Sequence, residues 1–463
     1  METTVQRPRE QVIRMYAPRA AIYPRDVKGR YASLRWLCVW LTQLAFYGLP
    51  WLRWHGRQAV LFDLAERKFY LFGLVLWPQD FIYLAALLII CAMGLFLVTA
   101  VAGRVWCGYA CPQTVYSEMF LWLERRIEGP RSTRMRRDRQ PHSAGTLARK
   151  AAKHGAWLLL AGWTGLSFVG YFTPVDRLLA GAAALQLGPW QTFWVGFYAL
   201  ATYGNAGWLR EQVCKYMCPY ARFQSAMFDP DSLIVSYDAR RGEPRGAPGK
   251  APAAGDCIDC SLCVQVCPVG IDIRGGLQYE CIGCAACVDA CNGVMDKLAR
   301  PRGLVRYATE RGLAGRWSTR RMAARILRPR VLIYGAVLAA SVLAMALALA
   351  LRTPLKLDVV RDRGAMGRSV GDGLVENVYR LQIMNTAEHG HTFQVSVTGL
   401  AGASVEGGAD LVVAGASGRT VAVRVRAPRA AAAPGSHPIR LQLTARDDAA
   451  LQVAERAAFF IPR

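Results

Sequence analysis

Residues 257–291 read CIDCSLCVQVCPVGIDIRGGLQYECIGCAACVDAC. Cys257, Cys260, Cys263 and Cys267 stand at x2, x2 and x3 spacings with Pro268 behind them, and the spacing repeats at Cys281, Cys284, Cys287 and Cys291. A [4Fe–4S] cubane needs four thiolates, and three from one tight loop plus a fourth from elsewhere supply them. In two-cluster ferredoxins the fourth Cys of each run ligates the other cluster. The expected sets are therefore Cys257, Cys260, Cys263 and Cys291 on one cluster, and Cys281, Cys284, Cys287 and Cys267 on the second. Structural zinc usually takes pairs of Cys separated by about a dozen residues or more, which two consecutive triplets do not match. Ile258, Val264, Val266, Ile271, Ile273 and Ile282 are expected to wrap the clusters and keep water off them.

The chain around this segment is built for a membrane. Its 463 residues are 53% hydrophobic, 10% aromatic and only 19% charged, with mean hydropathy +0.16, which excludes a disordered or fibrous chain. Runs without a charged residue lie at 36–52, 81–103, 155–175, 178–209 and 331–351. A span needs roughly 20 apolar residues, so five spans are expected. The first run is short, but Trp36, Trp40, Trp51 and Trp54 supply interfacial anchors. The fourth is longer than one span, with its core near residues 190–204. Residues 69–77 are too short and contain Gly73, and read as an interfacial or re-entrant piece.

The basic residues set the orientation. Segments 1–35, 104–154 and 210–330 hold 8, 11 and 19 Lys/Arg, whereas 53–80 and 176–187 hold 4 and 1. Loops rich in Lys and Arg stay in the cytoplasm, so the N-terminal tail (1–35) and the Cys-rich segment are expected inside, and the chain after Leu351 outside. This distribution accounts for most of the +24 net charge. The basic residues are spread over loops with little aromatic interleaving, which argues against a nucleic-acid partner. Residues 1–30 are charged and carry Pro8, Pro18 and Pro24, so the first span is expected to act as an uncleaved insertion signal. Disulfides are disfavoured for Cys on the reducing side, and no Cys follows Cys291.

Residues 36–209 form the four-span region, 238–256 a Gly/Pro/charge linker, 257–307 the cluster domain and 331–351 the fifth span. Residues 355–463 alternate with period two: Tyr379, Leu381 and Ile383; Phe393, Val395 and Val397; Val421, Val423 and Val425; Ile439, Leu441 and Leu443. Short alternating strands between Gly/Ala/Pro turns suggest a β-sandwich. His389 and His391 there read as an exposed turn or, alternatively, a peripheral copper contact.

Four further Cys are patterned. Cys107-Gly-Tyr-Ala-Cys111-Pro112 follows the second span and Cys214-Lys-Tyr-Met-Cys218-Pro219 the fourth. On a helix, positions i and i+4 share a face, and a following Pro favours an extended second Cys. The two pairs can meet as a four-thiolate site at the cytoplasmic face, and soft thiolates favour Cu(I). Arg104, Arg210 and Lys215 nearby are expected to favour the thiolate, with an interfacial anchor as the alternative reading of Lys215. The competing reading is a structural thiol pair. Cys38 and Cys91, alone inside spans, read as packing residues. No Walker loop, GxGxxG after a strand, or CxxCH is present.

These residues resemble one family over nearly the whole chain: the FixG-type cytochrome c oxidase accessory proteins, membrane iron–sulfur proteins regarded as copper reductases. The resemblance rests on 22-IYPR-25, 103-GRVWCGYACPQ-113, 210-REQVCKYMCPY-220, 241-RGEPR-245, the eight cluster Cys and 301-PRGLVRY-307. It implies that residues 355–463 are an immunoglobulin-like module in the periplasm of a bacterial inner-membrane protein. It also implies reduction of Cu(II) to Cu(I), with copper as substrate or transient ligand on Cys107, Cys111, Cys214 and Cys218, for assembly of a cbb-type haem–copper oxidase. Partners on that reading are oxidase assembly factors or a copper chaperone, and an unidentified cytoplasmic electron donor. A quinol-linked relay with similar CxxxCP pairs and a non-enzymatic assembly scaffold are the alternatives. Asn292 departs from the ferredoxin habit of Pro after the last Cys, so that loop is expected to close differently.

Overall fold

The computed structural model describes residues 21–140, 143–246, 255–362, 367–371 and 373–463. Helices stand at all five uncharged runs: Arg30–Gly48, Phe81–Ala102, Ala144–Val169, Pro189–Thr202 and Pro329–Ala350. Two of the described helices, Pro78–Ala102 and Pro329–Ala350, are long and apolar enough to cross a bilayer. The expected bundle of five spans is thus met at this level for two. The others fall short for visible reasons. Ala144–Val169 opens with Arg149, Lys150, Lys153 and His154, and Arg30–Gly48 has Arg30 and Arg35 near its start. Residues 178–209 are no single span either. They divide into the end of Val175–Ala183, a break, Pro189–Thr202 and a π-helix, Tyr203–Leu209, with Pro189 opening the second helix, where its missing N–H has no partner to lose.

By internal contacts the chain forms two compact units: one of residues up to Thr42, Leu95–Gly162 and Ala199–Val331, the other of Gln43–Gly94, Trp163–Tyr198 and Leu332–Arg463. All five divisions along the chain fall inside the five helices named above.

In the first unit the Cys-rich segment is held between strands Ile234–Tyr237 and Val305–Ala308, paired antiparallel with Val235 opposite Tyr307. Each Cys triplet turns the same way. Asp259 and Ser261 flank Cys260 with φ of 53° each, and Gly283 and Ala285 flank Cys284 with φ of 67° and 55°. Such left-handed backbone is costly for non-glycine residues and is retained where the surroundings impose it. A helix begins just before the third Cys of each triplet, Leu262–Gln265 with Cys263 and Ala286–Lys297 with Cys287. Segment 238–256 is tied at both ends: it opens with the helical turn Ala239–Gly242, and Arg241 donates to the Asp256 carboxylate. Residues 247–254 lie outside the described residues, as do residues 1–20 of the N-terminal tail.

The second unit holds the β-sandwich. One sheet orders Ser404–Glu406, Ser417–Pro428, Leu374–Asn385 and Leu355–Arg361, with Arg368–Val370 also pairing with Leu374–Asn385. The other orders Leu411–Val413, His391–Thr398, Gly435–Ala445 and Gln452–Ile461. The period-two residues face inward: Tyr379, Leu381, Ile383, Phe393, Val423, Val425, Ile439, Leu441 and Leu443 share one buried core. Residues 69–76 of the piece expected to be interfacial or re-entrant form strands and the turn of a three-stranded antiparallel sheet, Val60–Asp63, Lys68–Leu71 and Leu74–Leu76. Phe72, with φ of 54°, and Gly73 make the tight turn between the last two strands.

Candidate functional site

The two Cys runs interleave. One cavity of the cluster domain is lined by Cys257, Cys260, Cys263 and Cys291. A second is lined by Cys267, Cys281, Cys284 and Cys287, and Cys263 lines both. The fourth Cys of each run thus faces the triplet of the other, because Ala286–Lys297 carries Cys291 back toward the first loop. Leu304, Val305 and Met295 close the first cavity, and Val235, Ile273 and Ile282 the second. Val266, Ile273 and Ile282 are buried as expected, Ile258 and Val264 only in part, and Val269 belongs with them. Eight thiols in two sets of four with apolar walls fit two cubanes.

Burial governs the thiols in the absence of metal. It pushes Cys263 up to about 11 and Cys281 and Cys291 up to about 12, and it raises Cys287 well above the ordinary range. Thiols so held part with their protons to a metal rather than to water, so loading releases protons. Asn292 closes the loop after the last Cys with its side chain. Its Oδ1 accepts from the Gly303 N–H at 3.0 Å, fastening the segment that leads to Val305–Ala308.

The CxxxCP pairs pack onto this domain. Cys107 lies in the helix Val105–Tyr109 and Cys214 in a π-helical turn, Val213–Met217. Cys111 and Cys218 are extended, at ψ of 127° and 110°, and each precedes a helix that begins at its proline. Gln113 joins the two motifs, its Nε2 donating to the carbonyls of Asn205 (2.8 Å) and Arg210 (3.0 Å). Cys107 is buried in one apolar cluster with Cys284, Val266 and Ile282, against which Cys214, Cys267 and Cys287 also pack. A Cβ on Gly108 would stand 2.8 Å from both Cys284 Cα and the Ile282 oxygen, so only glycine permits this approach. Tyr109 Oη donates to the Cys284 carbonyl at 3.4 Å, and Arg104 donates to the Tyr279 carbonyl.

The expected help from neighbouring cations is outweighed. Burial raises the Cys107 thiol although the Arg104 guanidinium, 3.8 Å from Sγ, lowers it. Burial pushes Cys214 up to about 12. Arg210 is engaged elsewhere, 2.6 Å from the buried Glu124 carboxylate. Sequence reasoning misses Gln224, which is fully buried, accepts from Cys107 Sγ at 3.3 Å and donates to Thr99 at 3.1 Å. A lone Gln on the helix Pro219–Met227 carries no signal of that role.

Among the described residues, no group of three or more His, Cys, Asp or Glu side chains converges on a single metal ion. The four membrane-edge thiols are neighbours without forming a closed mononuclear cage. The sandwich histidines do not assemble a site either: His391 Nδ1 is 2.7 Å from the Asp447 carboxylate, and the His389 carbonyl accepts from Asn385. Cys38 is partly buried, whereas Cys91 is exposed on its helix and packs no core.

Comparison with known proteins decides the family. Residues 209–310 match a 4Fe–4S dicluster domain, residues 84–130 a 4Fe–4S binding domain, and residues 345–462 the IG-like fold at the C-terminus of FixG. The nitrogen fixation protein FixG of Rhizobium meliloti is 40% identical over 427 residues, covering 84% of this chain and 82% of its own. The chain belongs to the FixG family. Two Cereibacter sphaeroides proteins, RdxA and RdxB, are each 40% identical, over 423 and 432 residues, covering 89% and 90% of this chain and 90% and 91% of their own. A FixG-related protein from Vibrio parahaemolyticus is 21% identical over 23% of this chain and 95% of its own, with a TM-score of 0.21. This FixG homologue is therefore an iron–sulfur, electron-transfer type of protein with an immunoglobulin-like C-terminal domain. The binding-domain match at 84–130 takes in Cys107 and Cys111.

Proposed function

We propose that this FixG homologue is a multi-pass inner-membrane oxidoreductase that reduces Cu(II) to Cu(I) for assembly of a cbb-type haem–copper oxidase. The observation that carries the reading is the shared apolar cluster of Cys107 and Cys214 with Cys267, Cys284 and Cys287. The two [4Fe–4S] clusters held by the eight Cys store and pass single electrons. Cys107, Cys111, Cys214 and Cys218 take up Cu(II), one electron converts it to Cu(I), and the thiolates retain the softer product. Because burial keeps Cys107 and Cys214 protonated, copper entry displaces protons toward the cytoplasmic side.

Five passes with the clusters inside and the sandwich in the periplasm suit the alternation of the chain. The basic segments 1–35, 104–154 and 210–330 fall in one compact unit, and 53–80, 176–187 and 355–463 in the other. Oxidase assembly factors or a copper chaperone are the partners on this reading. Anaerobic protein given dithionite and Cu(II) should form Cu(I) catalytically, trapped by a chromogenic chelator. Reduction no faster than dithionite alone would reject it.

The iron–sulfur match at residues 84–130 favours one second reading, in which Cys107, Cys111, Cys214 and Cys218 hold iron in an electron relay. About twelve Fe per chain rather than about eight would select it.

A further inference from the structure

A cleft of about 510 Å3 in the cluster-bearing unit takes no part in the chemistry described so far. Its volume is that of a site for a small organic molecule, for which about 300–1,000 Å3 is usual. Its walls include Lys150, Lys153 and Arg210 against Glu124, Asp138 and Glu211. All three cations are ion-paired: Lys150 to Asp138 at 3.0 Å, Arg210 to Glu124 at 2.6 Å, and Lys153 to Glu128, outside the lining, at 2.9 Å. A phosphate or carboxylate ligand finds no surplus cation here, so the cleft suits an uncharged one.

The rest of the wall is flat and aromatic. His154 stacks on Trp208, centroids 5.7 Å apart at 18°, and meets Trp157 edge-on at 5.1 Å. Trp208 is half exposed, and an indole at a cleft wall suits a flat apolar ring. The Tyr203 hydroxyl holds His154 Nδ1 at 3.0 Å, which fixes the imidazole and leaves Nε2 as its other hydrogen-bonding atom. Trp208 and Gly207 come from the π-helix Tyr203–Leu209, a local form that recurs at functional sites. The cleft lies where Ala144–Val169 passes from its Lys150–Lys153 end into an uncharged run, the level at which amphipathic rings collect. Ile22, Arg210 and Glu211 also line an adjoining cavity that reaches Cys214 and Pro268, next to the ligand Cys267.

We propose that this cleft binds the headgroup of a membrane quinol, with Trp208 as its stacking platform and His154 as its hydrogen-bonding partner. The inference rests on the electron-transfer reading and names the electron source, not the fate of copper. Oxidation of the quinol to the quinone releases two electrons and two protons. The electrons leave one at a time toward the cysteine-held iron beyond Cys214. His154 takes one proton and water entering the open cleft the other, and both pass to the cytoplasm.

The test uses full-length, cluster-loaded protein in detergent, titrated calorimetrically with decylubiquinone. Saturable binding at one site per chain is expected. Trp208→Leu and His154→Gln should each weaken it by about tenfold, near 1.4 kcal/mol, with iron content and melting temperature unchanged. Non-saturating uptake, equal in the variants, would overturn the site. Binding that persists while Cu(II) reduction fails would uphold the site and reject copper. Cu(II) reduction with dithionite but no saturable quinone binding would do the reverse.

Discussion

Gly108, between Cys107 and Cys111, lies so close to Cys284 that a Cβ would stand 2.8 Å from its Cα. The membrane-edge thiols and the cluster loop therefore share one packed seam rather than facing each other across a flexible linker.

Gly108→Ala should force that seam apart. Overpacking against backbone costs about 1–3 kcal/mol, and the strain falls on the loop carrying Cys281, Cys284 and Cys287. Iron analysis should show partial loss, with the cluster of Cys257, Cys260, Cys263 and Cys291 surviving. Full iron content with an unchanged melting temperature would show that the loop moves freely.

The interleaved cavities predict about eight Fe and eight acid-labile sulfides per chain. Cys267→Ser should perturb chiefly the cluster of Cys281, Cys284 and Cys287. Electron paramagnetic resonance that shows loss of the other cluster alone would contradict the crossed ligand sets.

Glu124 is buried between Arg134 at 3.0 Å and Arg210 at 2.6 Å. Burial pushes its carboxyl up, but the pull of Arg210 and Arg134 is stronger and leaves it below the usual value. Its contribution to stability is thus present above the unfolded carboxylate pKa and is lost as pH falls through the lower folded one. Glu124→Gln leaves two buried guanidinium groups undercompensated, at a cost of about 3–5 kcal/mol. Thermal denaturation at pH 7 should show the loss, and the difference from the parent should shrink in acid.

The alternation of basic and non-basic segments predicts opposite compartments for fusions at about residues 250 and 400. Alkaline phosphatase should be active only at the second and a cytoplasmic fluorescent reporter only at the first. Matching signals at both would remove one span, and the broken segment 178–209 is the first to suspect.

Much of this architecture is legible in the sequence because the signals are periodic or ligand-spaced. The alternation at Tyr379–Ile383 and Ile439–Leu443 marks the sandwich core, and the Cys spacing marks both thiol sets. The rest depends on contacts between distant segments, which periodicity does not carry. Residues 69–77 are charge-free but too short for a span and read as an interfacial or re-entrant piece. Strand Lys68–Leu71 instead pairs with Val60–Asp63 on one side and Leu74–Leu76 on the other. The fate of Arg210 turns on Glu124, 86 residues away, and no local pattern announces Gln224 against Cys107. Thiol acidity escapes for a like reason: cationic neighbours are visible in sequence, whereas the burial that outweighs them is not.

The most direct test of the copper assignment is anaerobic Cu(II) reduction by the Cys214→Ser/Cys218→Ser protein, compared with the parent and normalised to iron content. The account predicts that copper binding and reduction are abolished while about eight Fe per chain remain. Full Cu(II) reductase activity in that variant would place copper elsewhere, and loss of its iron would make these thiols cluster ligands or structural groups.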